Sequence, residues 1–293
     1  MPQTIAFLFP GQGKTPKSML PESKRISGLL DMAGAQGCAL RQWIAEARTD
    51  LLVRTENAQP ALLVDSLARE ELLRQAGWSP SFVAGHSLGE YAALVSSGAL
   101  SAIDGLRAVM ERGQAMCGVE GTMAAVLKLD IDAVASLCTE IGSGVCIANH
   151  NSPTQIVISG EADAVKELTR RAEEMGGRSI ALQVSGPFHS PLMRPAQDAL
   201  EPFLRQLDFH APTIPIVSGV TGTVERDPEQ LRGILCRQIT AQVRWVDVIH
   251  RLSYLGVDVA VEAGSGDVLT RMGQRMQTEI RFMTYEEAID EHA

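Results

Sequence analysis

The sequence predicts an α/β fold that carries a smaller inserted subdomain, and three patterns in the chain support this prediction. Short apolar runs such as Ile5–Phe9 and Phe82–Ala84 alternate with longer segments whose apolar residues recur at helical spacing. Residues 123–184 instead follow the order strand, helix, strand, strand, helix, strand, which is typical of a ferredoxin-like unit. The sequence Gly-His-Ser-Leu-Gly at 85–89 joins a strand to a helix, as the exposed serine turn of α/β enzymes does.

The amino-terminal elements can be placed from their apolar runs and their breaking residues. The first predicted strand, Ile5–Phe9, is apolar throughout and closes in the glycine turn Pro10-Gly11-Gln12-Gly13. Gln59-Pro60 is predicted to open a long helix, because proline is favoured in the first helical turn. After the serine turn and its helix, Ser101 is a favourable N-cap for a second helix that reaches about Cys117.

The remaining elements follow from the same two periodicities. Within the ferredoxin-like unit we predict strand 123–129, helix 132–141, strand 145–148, a turn at 149–153, strand 155–159, helix 162–175 and strand 179–184. A rigid turn at 186–191 then returns the chain to the larger fold. There we predict helix 192–207, strand 214–218, helix 228–239, helix 245–255, strand 257–262, a helix to about 277 and strand 281–284.

Composition excludes several classes of protein. The chain has 293 residues, of which 45% are hydrophobic and 21% charged, so it can bury a large core. Its net charge of −9 argues against nucleic-acid binding, and no apolar run approaches the ~18 residues of a membrane span. The five cysteines are odd in number and lack C-x-x-C spacing, which indicates reduced thiols and neither disulfides nor a metal site. With no basic leader at the amino terminus, we expect a cytoplasmic protein.

Ser87 is the candidate nucleophile, because the turn from a strand directly into a helix leaves the central side chain exposed at the edge of the sheet. The next amide, Leu88 N–H, would lie at a helix amino terminus, where unpaired donors and the helix dipole favour an anion. The alternative is a glycine-rich turn with a serine that has no chemical role. A serine hydroxyl also needs a base, and the chain offers six histidines.

Eight short motifs, in order along nearly the whole chain, resemble one family. They are residues 9–13, 59–62, 85–90, 112–113, 148–153, 186–190, 242–245 and 264–269. Together they are similar to malonyl-CoA:acyl carrier protein transacylases and to the related acyltransferases of polyketide synthesis. The resemblance implies an α/β-hydrolase-like catalytic domain, residues 1–122 and 186–293, and a ferredoxin-like subdomain, residues 123–185. The chain departs from the family pattern at Lys14-Thr15-Pro16. It also departs from it at about 20–58, where the region looks short and unlike that of typical members. Both departures concern the rim of the expected pocket.

The resemblance also assigns the catalytic groups. It implies that His189 is the base and that a backbone carbonyl, at Gln238, orients it in place of an acid. It places the second oxyanion donor at the Gln12 backbone N–H, beside that of Leu88. His86 should point away from the site and pack. Gln238 has an alternative interpretation as an ordinary residue at the end of a helix.

Substrate selection is implied at Arg112, which matches the family's carboxylate-binding arginine. A guanidinium can hold a carboxylate through two parallel hydrogen bonds, and a malonyl group carries one where an acetyl group does not. Gln59 resembles a side chain that lines this pocket, and Phe188 resembles the malonyl-selecting form. The alternatives are a solvated helix arginine for Arg112 and a helix-start amide for Gln59.

The implied function is transfer of a malonyl group from CoA to the phosphopantetheine thiol of an acyl carrier protein, through a malonyl-serine intermediate. No metal or other cofactor is expected, and the partners are malonyl-CoA and the carrier protein, with the enzyme a monomer. Because carrier proteins are acidic, we expect docking on basic residues, with seven candidates: Lys166, Arg170, Arg171, Arg178, Arg271, Arg275 and Arg281. The pathway, fatty acid or polyketide synthesis, stays open.

Three other functions fit parts of the sequence. A serine hydrolase acting on carrier-protein thioesters would share the Ser87 turn but would gain nothing from Arg112. The malonyl-transfer subunit of malonate decarboxylase would share both. A binding module without catalysis would have no reason to keep Ser87, His189 and Arg112 together.

Overall fold

Two sheets organise the protein in the computed structural model, which describes residues 3–12 and 23–291. The strands are β1 (Ile5–Phe9), β2 (Phe82–Gly85), β3 (Thr122–Leu127), β4 (Val145–Ser152), β5 (Gln155–Gly160), β6 (Arg178–Ala181), β7 (Ile216–Val217), β8 (Val224–Glu225), β9 (Val259–Glu262) and β10 (Arg281–Thr284). The first sheet has the order β10-β9-β1-β2-β7-β8 and the second β4-β5-β3-β6.

Helices cover both faces of the larger sheet and one face of the smaller. They are α1 (Lys24–Ala35), α2 (Leu40–Ala45), α3 (Thr49–Leu52), α4 (Thr55–Gln75), α5 (Gly89–Ser96), α6 (Ala102–Met116), α7 (Ile131–Ile141), α8 (Ala162–Glu174), α9 (Arg194–Leu204), α10 (Pro228–Arg237), α11 (Trp245–Tyr254), α12 (Val268–Gly273) and α13 (Tyr285–Glu291). Short 3₁₀ turns at Pro191–Met193 and Gln238–Thr240 lie beside two of them. None of the helices in the described ranges is long and apolar enough to cross a membrane.

The larger sheet is parallel except for its last pair, β7 with β8. Its central strand β1 is apolar on both faces, which is what a parallel strand between two helix layers requires. Phe7 and Phe9 pack into one hydrophobic core, while Ala6 and Leu8 pack into a second core on the opposite face. The predicted bounds of β1 and β10 agree with the structure.

The smaller sheet confirms the ferredoxin-like prediction, because its strands are antiparallel and α7 and α8 connect them in the expected order. A third core of aliphatic residues lies between this sheet and the two helices. The sheet begins at Thr122, one residue before the proposed domain boundary. The division into residues 1–122 with 186–293 and residues 123–185 stays a prediction.

Strand β4 is longer than the sequence indicates. The predicted turn at 149–153 is wrong, since β4 continues to Ser152. Irregular pairing with β5 between Ile147 and Asn149, and again between His150 and Ser152, accommodates the polar residues. Asn149 also pairs with Val243, which lies just before α11 and outside the larger sheet, so this polar end of β4 contacts the larger fold. Strand β6, in contrast, ends at Ala181 and not at the predicted 184.

Helix α4 begins before the proline expected to open it. It starts at Thr55, so Pro60 lies within the helix. The backbone N–H that Pro60 lacks would have bonded to the carbonyl of Glu56, which lies in the first turn of the helix. Sequence analysis also missed β8 and the closing helix α13, both too short to show a period. Several helices end earlier than predicted, α12 the most, at Gly273.

The serine turn depends on close backbone contacts. A Cβ at Gly89 would lie 2.0 Å from the Phe9 carbonyl oxygen, and one at Gly85 would lie 2.1 Å from the Glu90 nitrogen. His86 N–H donates to the same Phe9 oxygen, at 2.9 Å. Helix α5 can therefore begin directly against the end of β1 only because residue 89 has no side chain. Gly13 and Lys14-Thr15-Pro16, which the sequence analysis named, lie outside the described residues, as does His292, one of the six histidines.

We predict that Gly89→Ala destabilises the protein by about 3 kcal/mol or more, at the upper end of the overpacking range, because backbone atoms cannot yield. Gly233→Ala is the matched control, since nothing lies within 4 Å of a Cβ there and the residue is inside α10. It should stabilise the protein by about 0.5–1 kcal/mol. Urea unfolding of both variants measures the difference, and a Gly89→Ala protein as stable as the wild type contradicts the close approach.

Candidate active site

Ser87 lies at the turn between β2 and α5 in a strained backbone conformation. Its φ is +52°, in the left-handed region that residues with a Cβ rarely occupy. The turn places its side chain in a cavity of about 220 Å³ between the two sheets, which Leu88, Gln12 and Phe188 also line. Such strain persists only where the surrounding structure holds it in place, and here the contacts of Gly85 and Gly89 do so.

His189 faces Ser87 and is held from behind by two carbonyls. Its Nε2 lies 2.7 Å from Ser87 Oγ. Its Nδ1 lies 3.1 Å from the Gln238 carbonyl and 2.9 Å from the Ala241 carbonyl. Since carbonyls only accept, Nδ1 carries the proton, and Nε2 is left to accept from the serine hydroxyl. His189 has a φ of +59°, so His189 and Ser87 both have left-handed backbone conformations.

The environment keeps the His189 imidazole neutral. Its pKa is lowered to about 3, chiefly by burial and then by the nearby Arg112 and His86, while the carbonyls of Ala241 and Gln238 act in the opposite direction. Such a histidine is a base that is ready to accept a proton over the whole neutral range.

Beneath this pair, Gln238 joins Ser87 to a buried carboxyl group. Its Nε2 donates to the Ser87 carbonyl, at 2.9 Å, and to Glu90 Oε2, at 2.6 Å. Ser218 Oγ donates to the other Glu90 oxygen, at 2.6 Å. Burial raises the pKa of Glu90 while these hydrogen bonds lower it. Gln238 therefore contacts the serine through its side chain and His189 through its backbone.

Arg112 is a fully buried cation beside the serine, not a solvated helix residue. Its side chain reaches Ser87 Oγ through Nη2, at 3.3 Å, and Gln59 Oε1 through Nη1, at 2.8 Å. Its Nε is buried without a hydrogen-bond partner, and within the described ranges no carboxylate lies within 4 Å of the guanidinium. Burial lowers its pKa, which Tyr91 and Glu90 partly offset. A buried guanidinium without a counter-ion is costly, and an anionic ligand would relieve that cost.

Gln59 and Gln12 belong to a chain of hydrogen bonds that continues from Arg112. Gln59 Nε2 donates to Thr55 Oγ1, at 3.1 Å, and Thr55 Oγ1 donates to Gln12 Oε1, also at 3.1 Å. Gln59 Nε2 also contacts Met116 Sδ, at 3.6 Å. Gln59 is thus a buried support for Arg112 within helix α4, not an amide at the start of a helix.

The other histidines in the described ranges lie apart from Ser87 Oγ. His86 points toward the smaller sheet, where Nε2 is 2.8 Å from Asn151 Oδ1, and its ring packs edge-on against Trp245. His150 lies in β4, and His210 and His250 lie at the surface. In the part of the chain that the structure describes, no three histidine, cysteine or acidic side chains could hold a metal ion.

Sequence analysis missed four residues around the site. The Ala241 carbonyl carries no signal in the sequence, since any residue supplies one. Glu90 could have been noticed as an acid in the otherwise apolar helix α5. Thr55 and Ser218 have common side chains, and only their partners reveal their positions.

A model of the family described as acyl transferase domain matches residues 6–287. The malonyl CoA-acyl carrier protein transacylase of Bacillus subtilis strain 168 is 39% identical over 292 residues, covering 94% of this chain and 92% of that protein. The polyketide biosynthesis protein ThaF of Burkholderia thailandensis is 43% identical over 276 residues, covering 90% of this chain and 23% of that protein.

Solved structures agree with these matches. The malonyl-CoA:acyl carrier protein transacylase of Xanthomonas oryzae superposes with a TM-score of 0.92 at 36% identity, covering 99% of this chain and 98% of that one. A malonyl-transacylase solved in complex with the type II polyketide acyl-carrier protein AntF superposes with a TM-score of 0.89 at 30% identity, covering 98% of this chain and 99% of that one. The predicted fold class is confirmed.

We predict that the reaction of Ser87 with p-nitrophenyl acetate keeps its rate from pH 8 down to about pH 5. Protonation removes the base, and because the pKa of His189 lies far below 6.5, the rate falls only as the pH drops well below that value. Stopped-flow absorbance measures the second-order rate, which reports the free enzyme. Ser87→Ala supplies the background to subtract, and a midpoint near pH 6.5 would contradict the buried neutral imidazole.

Proposed function

The chain belongs to the acyl transferase domain family, within its malonyl-CoA:acyl carrier protein transacylases, and from that membership we propose the following reaction and residue roles. The enzyme moves a malonyl group from CoA to the thiol of a carrier protein, in fatty acid or polyketide synthesis. Ser87 carries the acyl group, His189 moves the protons, and Arg112 binds the malonyl carboxylate.

The position of Arg112 is the observation that carries this proposal. A malonyl group has one methylene between its thioester carbonyl and its carboxylate, so the two carbons are only roughly 2.5 Å apart. A carboxylate at that distance from the reacting carbon needs its cation next to the nucleophile. Arg112 Nη2 lies 3.3 Å from Ser87 Oγ and has no carboxylate partner within the described residues. The geometry supports a short acyl group that ends in a carboxylate.

Acylation begins when Ser87 Oγ attacks the thioester carbonyl and its proton passes to His189 Nε2. The Nδ1 hydrogen bonds to Gln238 and Ala241 support the imidazolium that forms. The oxyanion is assigned to the backbone N–H groups of Leu88, at the start of α5, and Gln12. When the carbon–sulfur bond breaks, the proton on Nε2 goes to the departing CoA sulfur.

Transfer repeats these steps with a different nucleophile. The phosphopantetheine thiol of the carrier protein gives its proton to His189 Nε2 and attacks the malonyl-serine ester. Ser87 Oγ then leaves and takes the proton back, so both protein groups return to their starting state. The chemistry needs no metal or redox cofactor from the protein.

The carrier protein is the proposed partner, as the complex with AntF supports for that malonyl-transacylase. Among the seven basic residues expected to bind it, Arg170, Arg171, Arg271 and Arg281 are already paired with carboxylates on their own surface. Lys166, Arg178 and Arg275 are the stronger candidates, because none of them has an ion pair with another described residue, although Arg275 donates to Gln155 Oε1 at 2.7 Å. The proposal includes a monomeric enzyme in the cytoplasm, where the five cysteines stay reduced.

We predict that malonyl-CoA adds one malonyl group to Ser87 and that Ser87→Ala abolishes the addition. Intact-protein mass spectrometry after a brief incubation, followed by peptide mapping, locates the group. Without a carrier protein the ester should persist, whereas a thioester hydrolase would release free malonate. Labelling of another residue, or normal transfer by the alanine variant, would exclude Ser87 as the nucleophile.

We predict that Arg112→Ala reverses the acyl preference of the enzyme. Charged hydrogen bonds of this kind contribute about 1.5–3 kcal/mol, so malonyl transfer should fall by one to two orders of magnitude. Acetyl transfer has no carboxylate to lose and should hold steady or rise. Transfer of both acyl groups to one carrier protein is measured for each variant.

Arg107→Ala is the matched control for this experiment. Arg107 lies on the same helix but is exposed, and its ion pair with Asp104 is long, at 4.0 Å. Its replacement should change neither transfer rate. If Arg112→Ala slows malonyl and acetyl transfer by the same factor, Arg112 has a structural role and the selectivity must come from elsewhere.

A further inference from the structure

Thr55 is a buried residue at the first position of α4, and the sequence gives it no role. Its hydroxyl lies between the side chains of Gln59 and Gln12, within hydrogen-bond distance of both. We propose that Thr55 is a positioning residue that holds Gln59, and through it the carboxylate-binding Arg112, in place, with its own hydroxyl anchored on the Gln12 side chain. This inference rests on the proposed function and assigns a residue that sets its acyl selectivity.

Arg112 fixes which group donates and which accepts at every hydrogen bond between it and Gln12. A guanidinium only donates, so Gln59 must turn its carbonyl oxygen toward Nη1. The Gln59 amide nitrogen then faces Thr55 and needs an acceptor there. With its oxygen accepting from Gln59, the Thr55 hydroxyl has its single hydrogen to donate, and this goes to Gln12 Oε1. The orientations of Gln59 and of the Thr55 hydroxyl are therefore linked to each other through these hydrogen bonds.

Close packing of two helices makes this chain of bonds short. A Cβ at Gly113, the residue after Arg112, would lie 2.8 Å from Glu56 Cα and 3.2 Å from the Thr55 carbonyl. The absence of a side chain there lets α6 approach the start of α4. Arg112 reaches Gln59 directly, and Gln59 reaches Thr55 one helical turn earlier.

Loss of the hydroxyl should act on the malonyl group more than on the acetyl group. Without Thr55 Oγ1, the Gln59 amide nitrogen keeps only its contact with Met116 Sδ, which leaves the hydrogen bond from Arg112 Nη1 to hold the Gln59 side chain. A buried amide nitrogen that has lost its acceptor shifts toward a new one, and the guanidinium bound to the amide oxygen shifts with it. The carboxylate of a malonyl group would then meet a displaced cation, while an acetyl group does not use that position.

The experiment compares Thr55→Val, which has the same shape without the hydroxyl, with Thr55→Ser, which keeps the hydroxyl. We expect Thr55→Val to lower kcat/KM for malonyl transfer about tenfold and to change acetyl transfer about twofold or less. Thr55→Ser should stay within about twofold of the wild type for both acyl groups. Thermal unfolding checks that each variant is folded, and Thr55→Ala replaces the valine variant if that one is not.

A double-mutant cycle tests the coupling itself. In an Arg112→Ala background, Thr55→Val should have a much smaller effect on malonyl transfer than in the wild type, because the two residues act through one chain. An equal loss in both backgrounds, an equal loss for both acyl groups, or no loss at all would overturn the inference. The single Arg112→Ala variant, measured alongside, reports on the proposed function separately: if it reverses the preference, only the role of Thr55 has failed.

Discussion

The close approach of α5 to the end of β1 is the constraint on which the rest of the site depends. Gly89 lies against the Phe9 carbonyl, so the chain must turn from β2 into α5 within three residues. That turn forces Ser87 into the left-handed region and aims its hydroxyl at His189. It also places the Ser87 carbonyl where Gln238 can bind it. Backbone contacts thus hold the strained conformation of Ser87, and that conformation sets where His189 and Gln238 can bind it.

Buried charge is the second constraint, and the fold treats its two signs differently. The Glu90 carboxyl group is surrounded by donors from Ser218 and Gln238, which satisfy both of its oxygens. Among the described residues, the Arg112 guanidinium donates to two neutral groups, Gln59 and Ser87, and its Nε finds no partner there. The network therefore stabilises the buried acid and leaves the cation as the group with unused binding capacity.

Most of the fold could be predicted because it follows from periodicity, but the fine placement could not. Apolar runs located β1 and β10 to the residue, and the order of elements identified the ferredoxin-like unit. Prediction failed where tertiary contacts override local pattern, as at Pro60 within α4 and in the polar end of β4, which pairs with Val243. Within the site, Ser87 had a local signal, whereas Thr55 and the Ala241 carbonyl act only through partners distant in sequence.

The same electrostatics explain why carbonyls, and not an acid, hold His189. Arg112 is close enough to His189 to lower its pKa, so a carboxylate placed on Nδ1 would lie within the field of the guanidinium. Such a carboxylate would compensate the cation in the free enzyme and weaken its attraction for the carboxylate of a substrate. The Gln238 and Ala241 carbonyls fix the tautomer with dipoles that carry no net charge. Orientation of the base and recognition of an acidic acyl group can then coexist within one small cavity.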